Sequence, residues 1–158
     1  MRLDLDKLEK AVGEFEIVVD GNVSKVDVRE VCGIAMENLV EEFTKHPSNY
    51  AWYNTVLALY ESRKSELESD LDFKYANLDI KIRSGLSPEE AKGIKEKSIE
   101  SRIIIDKDYS IIKEEFLLVG KIVKRLVALV KGLEVKSNML QQAAARARKE
   151  MELDGMGR

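Results

Sequence analysis

The stretch that decides the fold is NYAWYNTVLALYESRKSELESDLDFKYANLDIKIRS, residues 49–84, which contains neither glycine nor proline. Apolar or long side chains recur along it with alternating gaps of four and three residues, at Tyr53, Leu57, Tyr60, Lys64, Leu67, Leu71, Lys74 and Leu78. This spacing is a heptad seam, which is typical of two helices packed side by side. It predicts one long helix that Ser48 or Asn49 can cap and that Gly85 ends. Because a small globule cannot cover so long a helix, we expect it to pair with another.

A second heptad seam lies in the proline-free segment from Asp108 to about Leu153. It consists of Ile112, Phe116, Val119, Val123, Leu126, Val130 and Leu133. A second stripe, made of Leu118, Ile122 and Leu129, runs beside it. A helix that is covered on one side needs one stripe, so two stripes indicate burial on two sides. We expect the second side to contact another subunit, and we assign the seam residues to oligomerisation. The alternative is that helices of the same chain cover both stripes.

The N-terminal region is predicted from shorter signals. Residues 2–11 favour a short amphipathic helix, and the apolar residues 15–19 favour either a strand or a buried approach to the next helix, followed by an Asp20-Gly21 turn. Ser24 is a plausible N-cap for a helix that continues to about Lys45. Pro47 should end that helix, since a residue before proline avoids the helical region. His46 is then a surface residue of a turn.

Two further signals divide the segment between the seams. Ser87-Pro88-Glu89-Glu90 combines an N-cap, a proline at the first helical position and a capping box, and it predicts a helix start. That helix either breaks at Gly93 or continues to about Ile105. Asp106 and Asp108 mark the next junction.

These patterns predict an all-α fold of long antiparallel helical hairpins with coiled-coil-like seams, assembled into a ring-like oligomer. The chain is expected to form a single helical domain. Within it, acidic N-terminal helices occupy residues 1–47, the long helix occupies 48–85, and C-terminal helices with the oligomerisation region occupy 86–153.

The net charge of −3 hides a polarity along the chain. Residues 1–72 carry 8 basic and 16 acidic side chains, whereas residues 121–158 carry 9 basic and 4 acidic ones. Within 121–149 there are eight basic residues, and Glu134 is the only acidic one. Such a segment can bind a polyanion even when the whole chain is acidic. The alternative is that these charges form the solvated face of a helix.

The residues needed for catalysis or metal binding are scarce. One cysteine, Cys32, and one histidine, His46, cannot form the usual zinc site, and no phosphate-binding loop, nucleophile elbow or dinucleotide fingerprint occurs. We therefore expect no enzyme, no cofactor and no metal. The acidic start of the chain does not resemble a signal peptide, and no apolar run is long enough to span a bilayer. A cytoplasmic protein without a membrane partner is expected.

Aromatic and basic side chains occur together at two places. Tyr50, Trp52, Tyr53 and Tyr60 could stack on unpaired bases. Because Tyr53 and Tyr60 lie on the seam, packing in the core or against a partner is the favoured interpretation. At the end of the long helix, Lys74, Lys81 and Arg83 lie near Phe73 and Tyr75. These three cations could contact nucleic acid, or they could simply complement the negative end of the helix dipole.

The order of these features resembles the UvsY family of phage recombination mediators. The resemblance spans residues 50–150 and is carried by the long helix that ends at Ser84-Gly85 and by the acidic junction at residues 105–109. It continues in the apolar helix that ends near residues 130–133 and in a basic, amide-bearing C-terminal helix with Lys136, Gln141 and Gln142. The opening MRLDLDKLEK is also similar. The sequence differs from the family where Asn77 and Asp79 replace two DNA-contacting cations, and where residues 137–140 replace the centre of a terminal motif.

The resemblance implies a function without catalysis. Members of that family bind single-stranded DNA, form rings, and help a RecA-like recombinase to displace the single-stranded DNA-binding protein. We therefore predict a homo-oligomeric recombination mediator that binds single-stranded DNA without sequence preference. The expected DNA contacts are Lys74, Lys81, Arg83, Lys136, Arg146, Arg148 and Lys149. The alternative is a scaffolding coiled-coil protein that binds only protein partners.

Overall fold

The computed structural model describes residues 13–156, without the side chains of residues 88, 90, 91 and 153–156. The predicted helix over residues 2–11 lies outside this range. The described part is mostly helical, as predicted, and also contains one small sheet. Its elements are β1 (Glu14–Val19), β2 (Asn22–Asp27), α1 (Val28–Cys32), a 3₁₀ turn (Met36–Asn38), α2 (Leu39–Ser84), α3 (Pro88–Gly93), α4 (Glu96–Ile104) and α5 (Lys107–Met156).

The sheet is a hairpin in which β1 and β2 pair antiparallel, with Val19 opposite Asn22 and Ile17 opposite Ser24. Asp20 and Gly21 both have positive φ, at 52° and 77°, which is what a two-residue hairpin turn requires. The strand interpretation of residues 15–19 is therefore correct. The predicted helix start at Ser24 is wrong, because this tight turn folds the following residues back onto β1. The hairpin buries Ile17 and Val26, which are 0% and 3% exposed.

The helix predicted from Ser24 to Lys45 is replaced by the end of β2 and three further elements. Asp27, not Ser24, is the N-cap: its Oδ1 accepts hydrogen bonds from the backbone N–H groups of Arg29, at 2.8 Å, and Glu30, at 3.3 Å. Helix α1 ends at Cys32, and the extended backbone of the following Gly33 redirects the chain. The 3₁₀ turn and the first part of α2 follow.

Pro47 lies inside α2 instead of ending it. Proline removes one helical hydrogen bond and crowds the preceding turn, at a typical cost of about 3 kcal/mol. The turns on its N-terminal side are held by tertiary contacts, since His46 is only 8% exposed and Glu42 forms an ion pair with Lys136. The prediction that His46 occupies a surface turn is wrong for the same reason: the helix continues past Pro47.

Both seams follow the predicted period. Every one of the eight seam positions in α2 is buried or half-buried, and Leu67 and Leu71 are 1% and 6% exposed. Helix α2 ends at Ser84, and Gly85 donates to the carbonyl of Lys81, so the predicted stop is correct. Helix α3 begins at Pro88 and ends at Gly93. Of the two predicted alternatives, the break at Gly93 is therefore correct, and continuation to Ile105 is not.

The described residues form two compact units. The first contains residues 13–58 and 124–156, and the second contains residues 59–123. In the first unit α2 and α5 run antiparallel, because Glu42 pairs with Lys136 whereas the later Tyr50 pairs with the earlier Glu134.

The second unit shows the same orientation, with Arg63 paired to Glu115 and Lys74 paired to Asp108. Its buried apolar residues come from α2, α4 and α5, and they include Leu67, Ile99, Ile103 and Val119. Asp106 lies at the predicted junction, where its Oδ1 accepts from the backbone N–H of Tyr109 at 3.0 Å. The antiparallel helical pairing is therefore confirmed within each unit.

Candidate nucleic-acid interface

Lys74 is held by carboxylates. Its Nζ lies 2.8 Å from Oδ2 of Asp108 and 3.8 Å from Oδ1 of Asp106, and its side chain is 27% exposed. The hydrogen bond to Asp108 raises the pKa of Lys74, and the same bond lowers the pKa of Asp108. The charge of Lys74 is therefore largely compensated by the acidic junction that follows it in sequence.

Arg83 is compensated in a similar way. Its Nε lies 2.9 Å from Oδ2 of Asp79, one turn earlier in α2, and its Nη2 contacts Glu96 of α4. The side-chain hydrogen bond to Asp79 is the main reason that the pKa of Arg83 is raised. Lys81, by contrast, is exposed, and among the side chains that the structure describes no carboxylate forms an ion pair with it.

Lys136 is buried. Only 5% of the residue is exposed; its Nζ lies 2.7 Å from Oε2 of Glu42 and donates to the carbonyl oxygen of Val31 at 3.2 Å. The hydrogen bond from Lys136 is the main cause that lowers the pKa of Glu42. This placement argues against a contact between Lys136 and DNA, and it gives the residue a role in holding α2 against α5.

Four exposed cations share one side of α5. Lys124, Lys131, Arg146 and Lys149 lie within about 60° of arc, because a helix advances about 100° per residue. We call these four residues the basic face. Glu134, the one acidic residue within 121–149, lies beside this arc and accepts a hydrogen bond from the Tyr50 hydroxyl at 3.1 Å. Arg148 is exposed but points about 100° away from Lys149.

Four of the seven residues assigned to oligomerisation are buried within their own chain, and the other three are half-buried. Val119, Leu126, Val130 and Leu133 are at most 7% exposed, and Ile112, Phe116 and Val123 are half-buried. In the neighbouring stripe, Leu129 is fully buried and Leu118 is 58% exposed. Contacts with a second chain through this seam therefore stay a prediction that the structure of one chain does not test.

A cavity of about 550 Å³ opens beside the basic face. It is lined by His46, Pro47 and Tyr50 of α2 and by Glu134, Ser137 and Asn138 of α5. The rings of His46 and Tyr50 lie 6.2 Å apart with their planes 33° from parallel. Its walls therefore combine two aromatic rings with hydroxyl, amide and carboxylate groups.

His46 is the most unusual member of the cavity wall. Its Nδ1 is buried and has no hydrogen-bond partner among the described residues. Burial is the main cause that lowers the pKa of His46 from its ordinary value of 6.5, and the nearby positive charge of Lys136 lowers it further. The imidazole is therefore uncharged at neutral pH.

The sequence reasoning missed this cavity, although two signals for it exist. Lys136 stands at helical spacing between the buried Leu133 and Leu140, which marks position 136 as part of the core side of α5. Ser137 and Asn138 follow it and lie at the border between buried and solvated sides. The signal for His46 was the continuation of the helical pattern across Pro47.

Neither a metal site nor a membrane-spanning helix occurs in the part of the chain that the structure describes. Among the residues that the structure describes, no group of three or more histidine, cysteine, aspartate or glutamate side chains converges as a metal site would require. Likewise, none of the helices within residues 13–156 is long and apolar enough to cross a bilayer.

Comparison of the chain with protein-family models, with curated proteins and with solved structures finds no match.

Proposed function

We propose that this chain binds single-stranded DNA without sequence preference through its basic face, and that it acts as a recombination mediator. The observation that carries the proposal is the alignment of Lys124, Lys131, Arg146 and Lys149 on one exposed side of α5. No carboxylate within residues 124–149 lies in that arc, so the four positive charges are available to a phosphate backbone.

Two of the sequence-predicted contacts, Arg146 and Lys149, belong to this face, and Lys81 and Arg148 are exposed elsewhere. Lys74, Arg83 and Lys136 are paired with carboxylates, so they contribute less to the attraction of a polyanion. The proposal therefore places the main contact on the C-terminal helix instead of at the end of α2.

The mediator role rests on the resemblance to the UvsY family. A protein that loads a RecA-like recombinase in place of single-stranded DNA-binding protein must bind the strand and then release it. A few surface cations give contacts that are individually weak and screened by salt. In a homo-oligomer the same face is repeated, and repetition can raise the overall affinity by about 10²–10⁴.

The surface proposed for the homo-oligomer differs from the buried seam. Ile111 and Leu118 stand one heptad apart on α5 and are 55% and 58% exposed. A contiguous exposed apolar patch marks a protein–protein contact, and heptad spacing brings these two side chains to the same side of α5. We place the contact between subunits at these two residues.

The test of DNA binding is fluorescence anisotropy with a labelled oligonucleotide at several salt concentrations. Each phosphate contact with a single strand adds about 0.7 to the slope of log affinity against log salt. Lys124→Glu with Lys131→Glu should therefore weaken binding and lower the magnitude of the slope by about 1.4. Lys92→Glu with Lys97→Glu is the matched control, since both lysines are exposed and lie outside α5.

Equal weakening by both pairs of substitutions would show that net charge matters and that the basic face does not. Absence of binding by the unmodified protein at low salt would reject the DNA-binding function. The mediator role is tested separately, by assembly of a RecA-like recombinase on DNA coated with single-stranded DNA-binding protein. Assembly that is no faster with the protein than without it would reject that role.

A scaffolding function that uses only protein partners is the second candidate. The observation that favours it is the exposure of large apolar side chains in the second unit, where Phe73, Ile80 and Ile105 are 72%, 66% and 80% exposed. Such side chains favour a protein contact whether or not DNA binds. The anisotropy measurement separates the two functions, because a scaffold has no salt-dependent affinity for oligonucleotides.

A further inference from the structure

The cavity lined by His46, Tyr50, Glu134, Ser137 and Asn138 lies next to the basic face. Asn138 follows Lys131 by seven residues, so it lies on nearly the same side of α5, about 10 Å further along the helix. A strand whose phosphates contact Lys124 and Lys131 would therefore continue past the mouth of the cavity. A base that projects from that strand would therefore come within reach of the cavity.

The walls of the cavity fit a flat, uncharged ring with a polar edge. The rings of His46 and Tyr50 offer aromatic surface, and Ser137 and Asn138 offer a hydroxyl and an amide that can both donate and accept hydrogen bonds. The volume of about 550 Å³ lies within the range of roughly 300–1,000 Å³ that is usual for ligand pockets.

The charge of the cavity selects the base over the phosphate. Glu134 is part of the wall, and the uncharged His46 does not offset its carboxylate. A phosphate would be repelled there but attracted to the lysines outside. A nucleobase carries no charge, so a strand can be bound with its backbone on the basic face and one base turned inward.

We propose that this cavity binds one unpaired base of the strand that lies along the basic face. The inference rests on the proposed function and makes it more specific, because it identifies the group that distinguishes a single strand from a duplex. In a duplex every base is stacked and paired, so none can enter without the cost of unpairing. Stacking tolerates any base, which agrees with binding that does not depend on sequence.

The test compares a base-containing oligonucleotide with an abasic one of the same length and charge. Stacking of one base contributes enough free energy that we expect the unmodified protein to bind the base-containing strand on the order of tenfold more tightly. Tyr50→Leu should remove most of this preference by weakening only the binding of the base-containing strand. Tyr50→Phe retains the ring and should retain the preference.

Two further variants keep the test decisive. Asn138→Ala changes an exposed helical position, so the protein should stay folded, and the preference should fall by a few-fold. Tyr75→Leu is the matched control, since Tyr75 lies in α2 outside the cavity and its loss should leave the preference unchanged. Circular dichroism and thermal melting of each variant establish that its fold is retained.

The two proposals fail in different ways. If neither strand binds, the basic-face function is wrong and this inference falls with it. If both strands bind with equal affinity, and Tyr50→Leu and Asn138→Ala change neither, DNA binding stands but the cavity is not a base site. Photocrosslinking of a bromouracil oligonucleotide supplies a direct readout: a crosslink at Tyr50 supports the site, whereas crosslinks confined to residues outside the cavity overturn it.

Discussion

The amino group of Lys136 lies 2.7 Å from the carboxylate of Glu42, and this pair joins α5 to α2 at a position where Lys136 is 5% exposed. A buried charge is costly unless a partner of opposite sign is close. The second contact of Lys136, with the carbonyl oxygen of Val31, uses another of its donors. Through these two contacts Lys136 holds α1, the start of α2 and the middle of α5 together.

Removal of one partner of this pair should destabilise the fold more than removal of both. Lys136→Met leaves the Glu42 carboxylate without its cation, and the expected loss is up to about 3 kcal/mol, since that carboxylate retains some contact with water. Adding Glu42→Met should recover part of the loss. Urea unfolding of the single and double variants measures the coupling. Additive losses would show that the two charges do not depend on each other.

Acid should destabilise the first unit in two separate ranges of pH. The folded-state pKa of His46 is lowered from 6.5, so below that value the unfolded chain binds a proton first and stability falls. The folded-state pKa of Glu42 is lowered from 4.5, so its contribution is complete above that pH and is lost as the pH falls through the folded value.

The measurement is the free energy of unfolding in urea between pH 3 and pH 8. His46→Leu should reduce the loss of stability that begins as the pH falls below 6.5. It should leave in place the loss at lower pH, which is due to Glu42. Glu42→Gln should do the reverse. A His46→Leu variant with the same dependence as the unmodified protein between pH 7 and pH 5 would contradict the assignment.

Two glycines of α5 should respond to alanine in opposite directions. A Cβ at Gly132 would lie 2.7 Å from Sγ of Cys32, whereas a Cβ at Gly120 would meet nothing within 4 Å. Gly120→Ala should stabilise the protein by roughly 0.5–1 kcal/mol, because alanine is the better helix former. Gly132→Ala should destabilise it by about 1–3 kcal/mol through overpacking.

Thermal melting of both variants measures this difference. Cys32→Ala removes the sulfur that a Cβ at position 132 would meet, so adding it to Gly132→Ala should recover stability. A Gly132→Ala protein as stable as Gly120→Ala would show that the contact between Cys32 and α5 relaxes without cost.

The parts of the fold that a repeating pattern specifies were predictable from sequence. Leu67, Leu71, Leu126 and Leu133 recur at heptad spacing and are buried, because a helix paired along its length must bury one side. The end of α2 at Gly85 was equally predictable, since the signal is local.

The wrong predictions concern residues at which tertiary contacts outweigh the conformational preference of the local sequence. Pro47 was expected to end a helix, but the burial of His46 and the pairing of Glu42 hold the turns before it. Lys136 was counted as a surface cation because its type is usually exposed, although its position falls between buried leucines. The cavity combines residues that lie about 90 apart in sequence, and no local pattern brings such residues together.

Loss of the exposed apolar pair on α5 should separate subunits without unfolding them. Ile111→Lys with Leu118→Lys changes two side chains that are more than half exposed, so the helical signal and the melting temperature should be retained. Light scattering should then give a mass near 18.0 kDa, against a multiple of it for the unmodified protein.

Val119→Lys with Leu126→Lys is the contrasting variant: it charges residues that are 7% and 0% exposed, and it should unfold the chain. An unmodified protein of 18.0 kDa would reject the homo-oligomer, and a multimer that survives both surface lysines would move the contact between subunits to another surface.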